Sequence, residues 1–104
     1  MVLEVAFLQV VPGWEAEFEA AFAKASMIIA TTHGYRSHRL DCCLEVTNKY
    51  LLLVQWDALE DHTVGFRGSD ASVEWKGLLH HFYDPFPTVE HFTPVLANEP
   101  RPTE

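Results

Sequence analysis

Two segments, Val2 to Val11 and Tyr50 to Trp56, are rich in β-forming residues and apolar on both faces of a strand's alternation. In the first, Leu3, Val5 and Phe7 fall on one side and Val2, Ala6, Leu8 and Val10 on the other. In the second, Leu51 and Leu53 oppose Leu52, Val54 and Trp56. A sheet covered by helices on one side alternates apolar with polar, because its bare face meets water. Leaving an apolar face bare would forgo about 25 cal/mol for each Å² that could have been buried. A second copy of the same sheet is the simplest cover, so these strands predict a homodimer.

The segments between them supply the helices. Pro12-Gly13 ends the first strand. Phe18, Ala21, Phe22, Ala25 and Ile29 then recur at helical spacing, with Glu15, Glu17 and Glu19 at the start, where carboxylates suit the helix dipole. This helix is expected to run to about Thr32 and to close at His33-Gly34. Tyr35 to Val46 reads as a half-exposed second strand. Thr47-Asn48-Lys49 turns it into the Tyr50 to Trp56 strand, making a hairpin. Asp57 and Glu60 resemble a capping box opening a second helix. That helix breaks at Gly65-Phe66-Arg67-Gly68 and restarts after Ser69, a second N-cap candidate. Trp75, Leu78, Leu79 and Phe82 continue at helical spacing until Asp84-Pro85-Phe86-Pro87. Thr88 to Val95 is the last strand, and Ala97 to Glu104, holding Pro100 and Pro102, reads as a disordered tail. The order β-α-β-β-α-β predicts an α+β, ferredoxin-like fold with an antiparallel four-stranded sheet, in one domain over residues 1–96.

Bulk properties narrow the function classes. At 104 residues the chain holds one compact core. No apolar run approaches the roughly 20 residues that span a bilayer, and Met1-Val2-Leu3-Glu4 lacks a basic leader. The expectation is a soluble, cytoplasmic protein. Net charge is −8, which gives nucleic acid or an anionic membrane surface no electrostatic hold. Cys42 and Cys43 are the only cysteines and are adjacent, a spacing that favours two reduced thiols over a strained vicinal disulfide.

No nucleotide, serine-hydrolase or zinc signature is present: the glycines at 13, 34, 65, 68 and 77 make neither GxGxxG nor a P-loop. Adjacent His80 and His81 point about 100° apart on a helix, poorly placed to share a metal ion, and no metal or cofactor is expected. Arg36, His38 and Arg39 alternate across a strand and read as ordinary surface charge. His62 differs in context. It comes soon after Trp56, and Phe66, Trp75, Leu79 and Tyr83 come after it on helices that pack over the sheet. A histidine beside an aromatic pocket can accept a proton from a bound phenol or enol. The same spacing also fits plain core packing, with His62 as a surface residue.

Taken together, Tyr50 to Trp56, Glu60-Asp61-His62, Phe66-Arg67-Gly68-Ser69 and Val89-Glu90-His91-Phe92 resemble the antibiotic biosynthesis monooxygenase (ABM) family, over about residues 2 to 95. The resemblance implies a dimeric α/β barrel in which two such sheets face each other. It further implies a cofactor-independent oxidation of a small phenol, anthrone or quinol-like substrate by molecular oxygen, with His62 as proton acceptor or orienting group. Trp56, Phe66 and Trp75 would wall the pocket, with Leu79 and Tyr83 beside them. A haem-degrading branch uses an asparagine, a tryptophan and a histidine where this chain has about Ala6, Phe66 and Lys76, which disfavours haem degradation. The alternative is a non-catalytic or stress-related barrel that binds a small hydrophobic ligand.

Overall fold

The computed structural model describes residues 1–98 and 100–101. Strand β1 (Val2–Gln9), helix α1 (Glu15–Ile29), strands β2 (Tyr35–Cys42) and β3 (Lys49–Trp56), helix α2 (Asp70–Leu79) and strand β4 (Val89–Phe92) come in the expected order. The sheet runs β2-β3-β1-β4, every neighbouring pair antiparallel, and is open rather than closed. This is the ferredoxin-like α+β arrangement, with both helices on one face.

That face holds the core. Phe18, Phe22, Ala25 and Ile29 of α1 are buried against Ala6 and Leu8 of β1 and Tyr50, Leu52, Val54 and Trp56 of β3. Phe18 meets Tyr50 of β3 at a ring-centroid distance of 4.9 Å, a tilted aromatic contact that joins α1 to the sheet. The Glu15 carboxylate accepts from the Gly13 N–H at 2.9 Å, in a turn that Gly13 makes with φ +94°. Gly34, at φ +81°, is required twice over: a Cβ there would also lie 2.1 Å from the Asp61 side chain.

The other face of the sheet carries Leu3, Val5 and Phe7 of β1 beside Leu51 and Leu53 of β3. Phe7 is 55% exposed and Phe92 of β4 is 50% exposed. Polar residues bound this apolar strip. Leu53 lies between Arg39 of β2 and Val5, and Val5 has Glu90 of β4 on its other side.

Several boundaries differ from expectation: β1 ends at Gln9 instead of Val11, and α1 at Ile29 instead of about Thr32. Strand β2 stops at Cys42 instead of Val46, because Cys43 N–H already bonds Lys49 O at 2.8 Å and closes the hairpin, leaving Leu44 93% exposed. Strand β4 ends at Phe92, before Pro94, which has no N–H to give a ladder. Asp57 does not cap a helix; it takes an ion pair from Arg36 at 3.0 Å, and Asp61 instead accepts from the Ala58 N–H at 3.0 Å. Ser69 does cap α2, accepting from Ser72 N–H at 3.3 Å. The tail expected to be disordered from Ala97 falls partly on residues 99 and 102–104, outside the described residues. Among the described residues no helix is long and apolar enough to cross a membrane.

Candidate active site

Between β3 and α2 the chain winds one wide π-helical segment, Asp61–Phe66, in which Arg67 N–H reaches back to His62 O at 3.1 Å. Such turns recur at functional sites. This one buries both His62 and Phe66 against the sheet, at 5% and 4% exposure. The imidazole stacks on Trp56, with centroids 5.4 Å apart and planes 21° apart, and stands 6.2 Å from the Phe66 ring.

The surroundings of His62 are polar at two points only. Its Nδ1 lies 2.8 Å from Nε2 of His91, on β4. Its Nε2 lies 3.4 Å from Oε1 of Glu4, a carboxylate on β1 that is 5% exposed. The same Glu4 oxygen accepts from Trp56 Nε1–H at 3.0 Å. Trp56, Glu4, His62 and His91 thus form one continuous chain of polar contacts, placed there because Glu4 and His91 are direct partners across β1 and β4.

Burial sets the protonation of this chain. It holds the Glu4 carboxyl above the usual carboxylate range, although the Trp56 hydrogen bond and the Arg67 charge work in the other direction. It pushes His62 down to about 4, helped by the positive charge of Arg67 and by His91. His91 is lowered by burial and by Arg67 as well. His62 is therefore neutral near pH 7, with a single ring proton and the other nitrogen free to accept one.

A folded pKa depressed below the unfolded value means that acid favours the unfolded chain, which binds the proton first. For His62 the stability present above about pH 6.5 is lost as pH falls toward about 4. Glu4 acts with the opposite sign: its raised pKa makes the folded state the better proton binder, so acidification through that value partly offsets the loss. We expect His62→Gln to flatten the melting temperature against pH between about 6.5 and 4. Parallel curves for variant and wild type, read by calorimetry, would exclude His62 as the origin of the acid sensitivity.

These groups open on a cavity of about 240 Å³ under the helices, lined on its reactive side by Glu4 and His62 and on its apolar side by Phe66, Trp75, Tyr83 and Phe86. Trp75 stands edge-on to Phe66, with centroids 5.9 Å apart. Burial holds the Tyr83 phenol well above its usual value, so it stays a neutral donor. Arg67, Lys76 and half-buried His80 also line it.

Of the residues expected at the site, His62, Phe66, Trp75 and Tyr83 are brought together around this cavity. Trp56 and Leu79 are not: both are fully buried behind the wall, Trp56 acting through Glu4. The sequence reading missed Glu4 and His91. The available signal was a carboxylate in an inward slot of an otherwise apolar strand, facing the side that carries Ala6 and Leu8. Arg36 and Arg39 pair with Asp57 and Asp41 at 3.0 and 3.1 Å, as surface charges do. Glu4, His62 and His91 contact one another in succession, and among the described residues no group of three or more His, Cys, Asp or Glu gathers as a metal site. Both cysteines are free thiols.

Comparison with known proteins agrees with this architecture. The profile of the family described as "Antibiotic biosynthesis monooxygenase" matches residues 1–77. The chain is 59% identical over 95 residues to YczJ of Bacillus subtilis strain 168, itself uncharacterised, covering 91% of this chain and 100% of that protein. Among solved structures it resembles a Bordetella bronchiseptica protein assigned as an antibiotic biosynthesis monooxygenase. That match has a TM-score of 0.87 at 34% identity, covering 91% of this chain and 97% of the other. SnoaB, a cofactor-independent oxygenase from Streptomyces nogalater, shares the fold with a TM-score of 0.80 at 21% identity, over 92% of this chain and 94% of its own. A full-length likeness at 34% identity, together with a profile match over most of the chain, places it in the antibiotic biosynthesis monooxygenase family.

Proposed function

We propose that this chain is a cofactor-independent monooxygenase that oxidises a small phenol, anthrone or quinol-like compound with molecular oxygen in the cavity beside His62. The observation that carries this reading is a buried, neutral imidazole joined to a buried carboxylate, both facing an aromatic-walled cavity. The substrate gives its acidic proton to the Glu4–His62 pair. The raised carboxyl brings Glu4 closer to working pH, which suits a general base. His91, half-buried on β4, takes the proton onward from His62 Nδ1, so no imidazolium needs to persist in the apolar site. The resulting carbanion passes one electron to oxygen, and the radical pair closes a carbon–oxygen bond. The peroxide anion so formed takes that proton back through His62, and loss of water from the hydroperoxide leaves a carbonyl at the oxidised carbon, so one oxygen atom enters product and the other leaves as water. An apolar cavity protects these intermediates from solvent.

The volume of about 240 Å³ lies near the lower end of ordinary ligand sites and suits one or two fused rings better than a polycycle. The bare apolar face of the sheet supports a homodimer in which two sheets face each other as an α/β barrel, leaving each cavity free on its helix side. The chain is also read as working in the cytoplasm.

Oxygen uptake with an electrode, using 1-naphthol under air and under argon, tests the reaction. Enzyme-dependent uptake matched by quinone formation is expected. Binding without any enzyme-dependent uptake would replace this reading with that of a non-catalytic carrier of a small hydrophobic ligand.

A further inference from the structure

The cavity is basic in a chain that is acidic. Of seven Lys and Arg residues, Arg67 and Lys76 line it; of the thirteen Asp and Glu among the described residues, only Glu4 does. The ion pairs of the described residues are Arg36–Asp57, Arg39–Asp41 and the Glu4–His62 contact, so neither Arg67 nor Lys76 is within 4.0 Å of a carboxylate there. Arg67 directly succeeds the π-helical segment, and its charge is felt by Glu4, His62 and His91. Lys76 lies on α2, and its charge is felt by His80. Both residues are exposed, at the mouth of the cavity, while Phe66 is buried inside it.

Two unneutralised cations at the mouth of an aromatic cavity, in a protein of net charge −8, recruit a compensating anion. A guanidinium offers a planar fork that matches a carboxylate, and an ammonium adds a point charge. We infer that the ligand of this cavity is an aromatic carboxylate, its ring system against Phe66, Trp75 and Phe86 and its carboxylate held at the mouth by Arg67 and Lys76. This rests on the assignment of the cavity to a small aromatic substrate and narrows that class to acids. An oxyanion could also arise during reaction, when a phenol loses its proton at Glu4 and His62. The two sources differ in whether the anion is present before chemistry begins.

Isothermal titration calorimetry on the full chain at about pH 7.5 separates them, with 2-naphthoate, 2-naphthol and, at about pH 8.5, 4-nitrophenolate as probes. Naphthoate is expected to bind at least about fivefold more tightly than the neutral naphthol of similar size. Arg67→Gln and Lys76→Gln should each weaken naphthoate by about threefold or more and leave naphthol unchanged. With the wild-type protein alone, raising NaCl from about 20 to 200 mM should weaken naphthoate and not naphthol. Equal affinities for naphthoate and naphthol, or no binding of either, would overturn the inference. Tight nitrophenolate binding without naphthoate binding would overturn it too, giving the cations to a reaction-generated oxyanion. The measurement needs no turnover. A chain that selects naphthoate but consumes no oxygen sinks the oxygenase reading alone, and one that oxidises neutral quinols without preferring acids sinks this one alone.

Discussion

His62→Ala is expected to lower oxygen consumption with a phenolic substrate by at least about a hundredfold, the usual scale for removing a group that moves a proton in the transition state. The effect should fall on kcat more than on KM, because Phe66, Trp75 and Tyr83, which line the cavity, remain. Truncating a residue that is 5% exposed also leaves a void, so His62→Gln, closer in volume, serves as the companion variant. Added imidazole should restore part of the lost rate in His62→Ala by occupying that void. Unchanged kcat in both variants, with wild-type melting temperatures, would remove His62 from the reaction and leave Glu4 as the proton acceptor.

Leu53→Asp should convert a dimer into a monomer. Leu53 sits at the centre of the bare face, between Arg39 on β2 and Val5 on β1. In a face-to-face dimer each copy would bring its own new carboxylate into an apolar contact, where the neighbouring cation, Arg39, is already paired with Asp41, and such burial costs several kcal/mol per charge. We expect association to weaken by at least about a thousandfold, close to 4 kcal/mol. The monomer should still fold, since the opposite face of β3 holds the core residues Tyr50, Leu52, Val54 and Trp56. Val5→Asp should act in the same way. Light scattering coupled to size-exclusion chromatography reads the result, and a wild-type chain that is already a stable monomer at micromolar concentration would end the dimer proposal.

The fold was legible because its signals are local. Continuous β-forming apolar runs identify β1 and β3, a period-3.6 pattern identifies α1, and Pro12-Gly13 and His33-Gly34 mark the turns that the structure makes with positive φ at Gly13 and Gly34. The site was half legible. Phe66, Trp75 and Tyr83 declare themselves by spacing, but the same spacing promoted Trp56 and Leu79, and sequence cannot say which face of a packed ring borders a void. Glu4 and His91 were hidden for a different reason. They meet His62 through the β1–β4 register, which pairs Glu4 with His91 over 87 residues of chain, and a register between distant strands has no local signature. Strand β2 was drawn too long because Leu44 and Val46 keep the alternation after the hairpin has already closed at Cys43 and Lys49.

The π-helical turn at Asp61–Phe66 holds one more residue per turn of chain than an α-helix allows, and this makes the site sensitive to length as well as to composition. Deleting a single residue inside it would let the segment rewind as ordinary α-helix, rotating the residues before the deletion by about 100° relative to those after it. His62 would leave Trp56 and His91 while Arg67 stayed near the mouth, separating the proposed proton acceptor from the cavity without altering any of the side chains involved. Relatives that keep every one of those side chains but lack the extra residue would then share the cavity and not the chemistry.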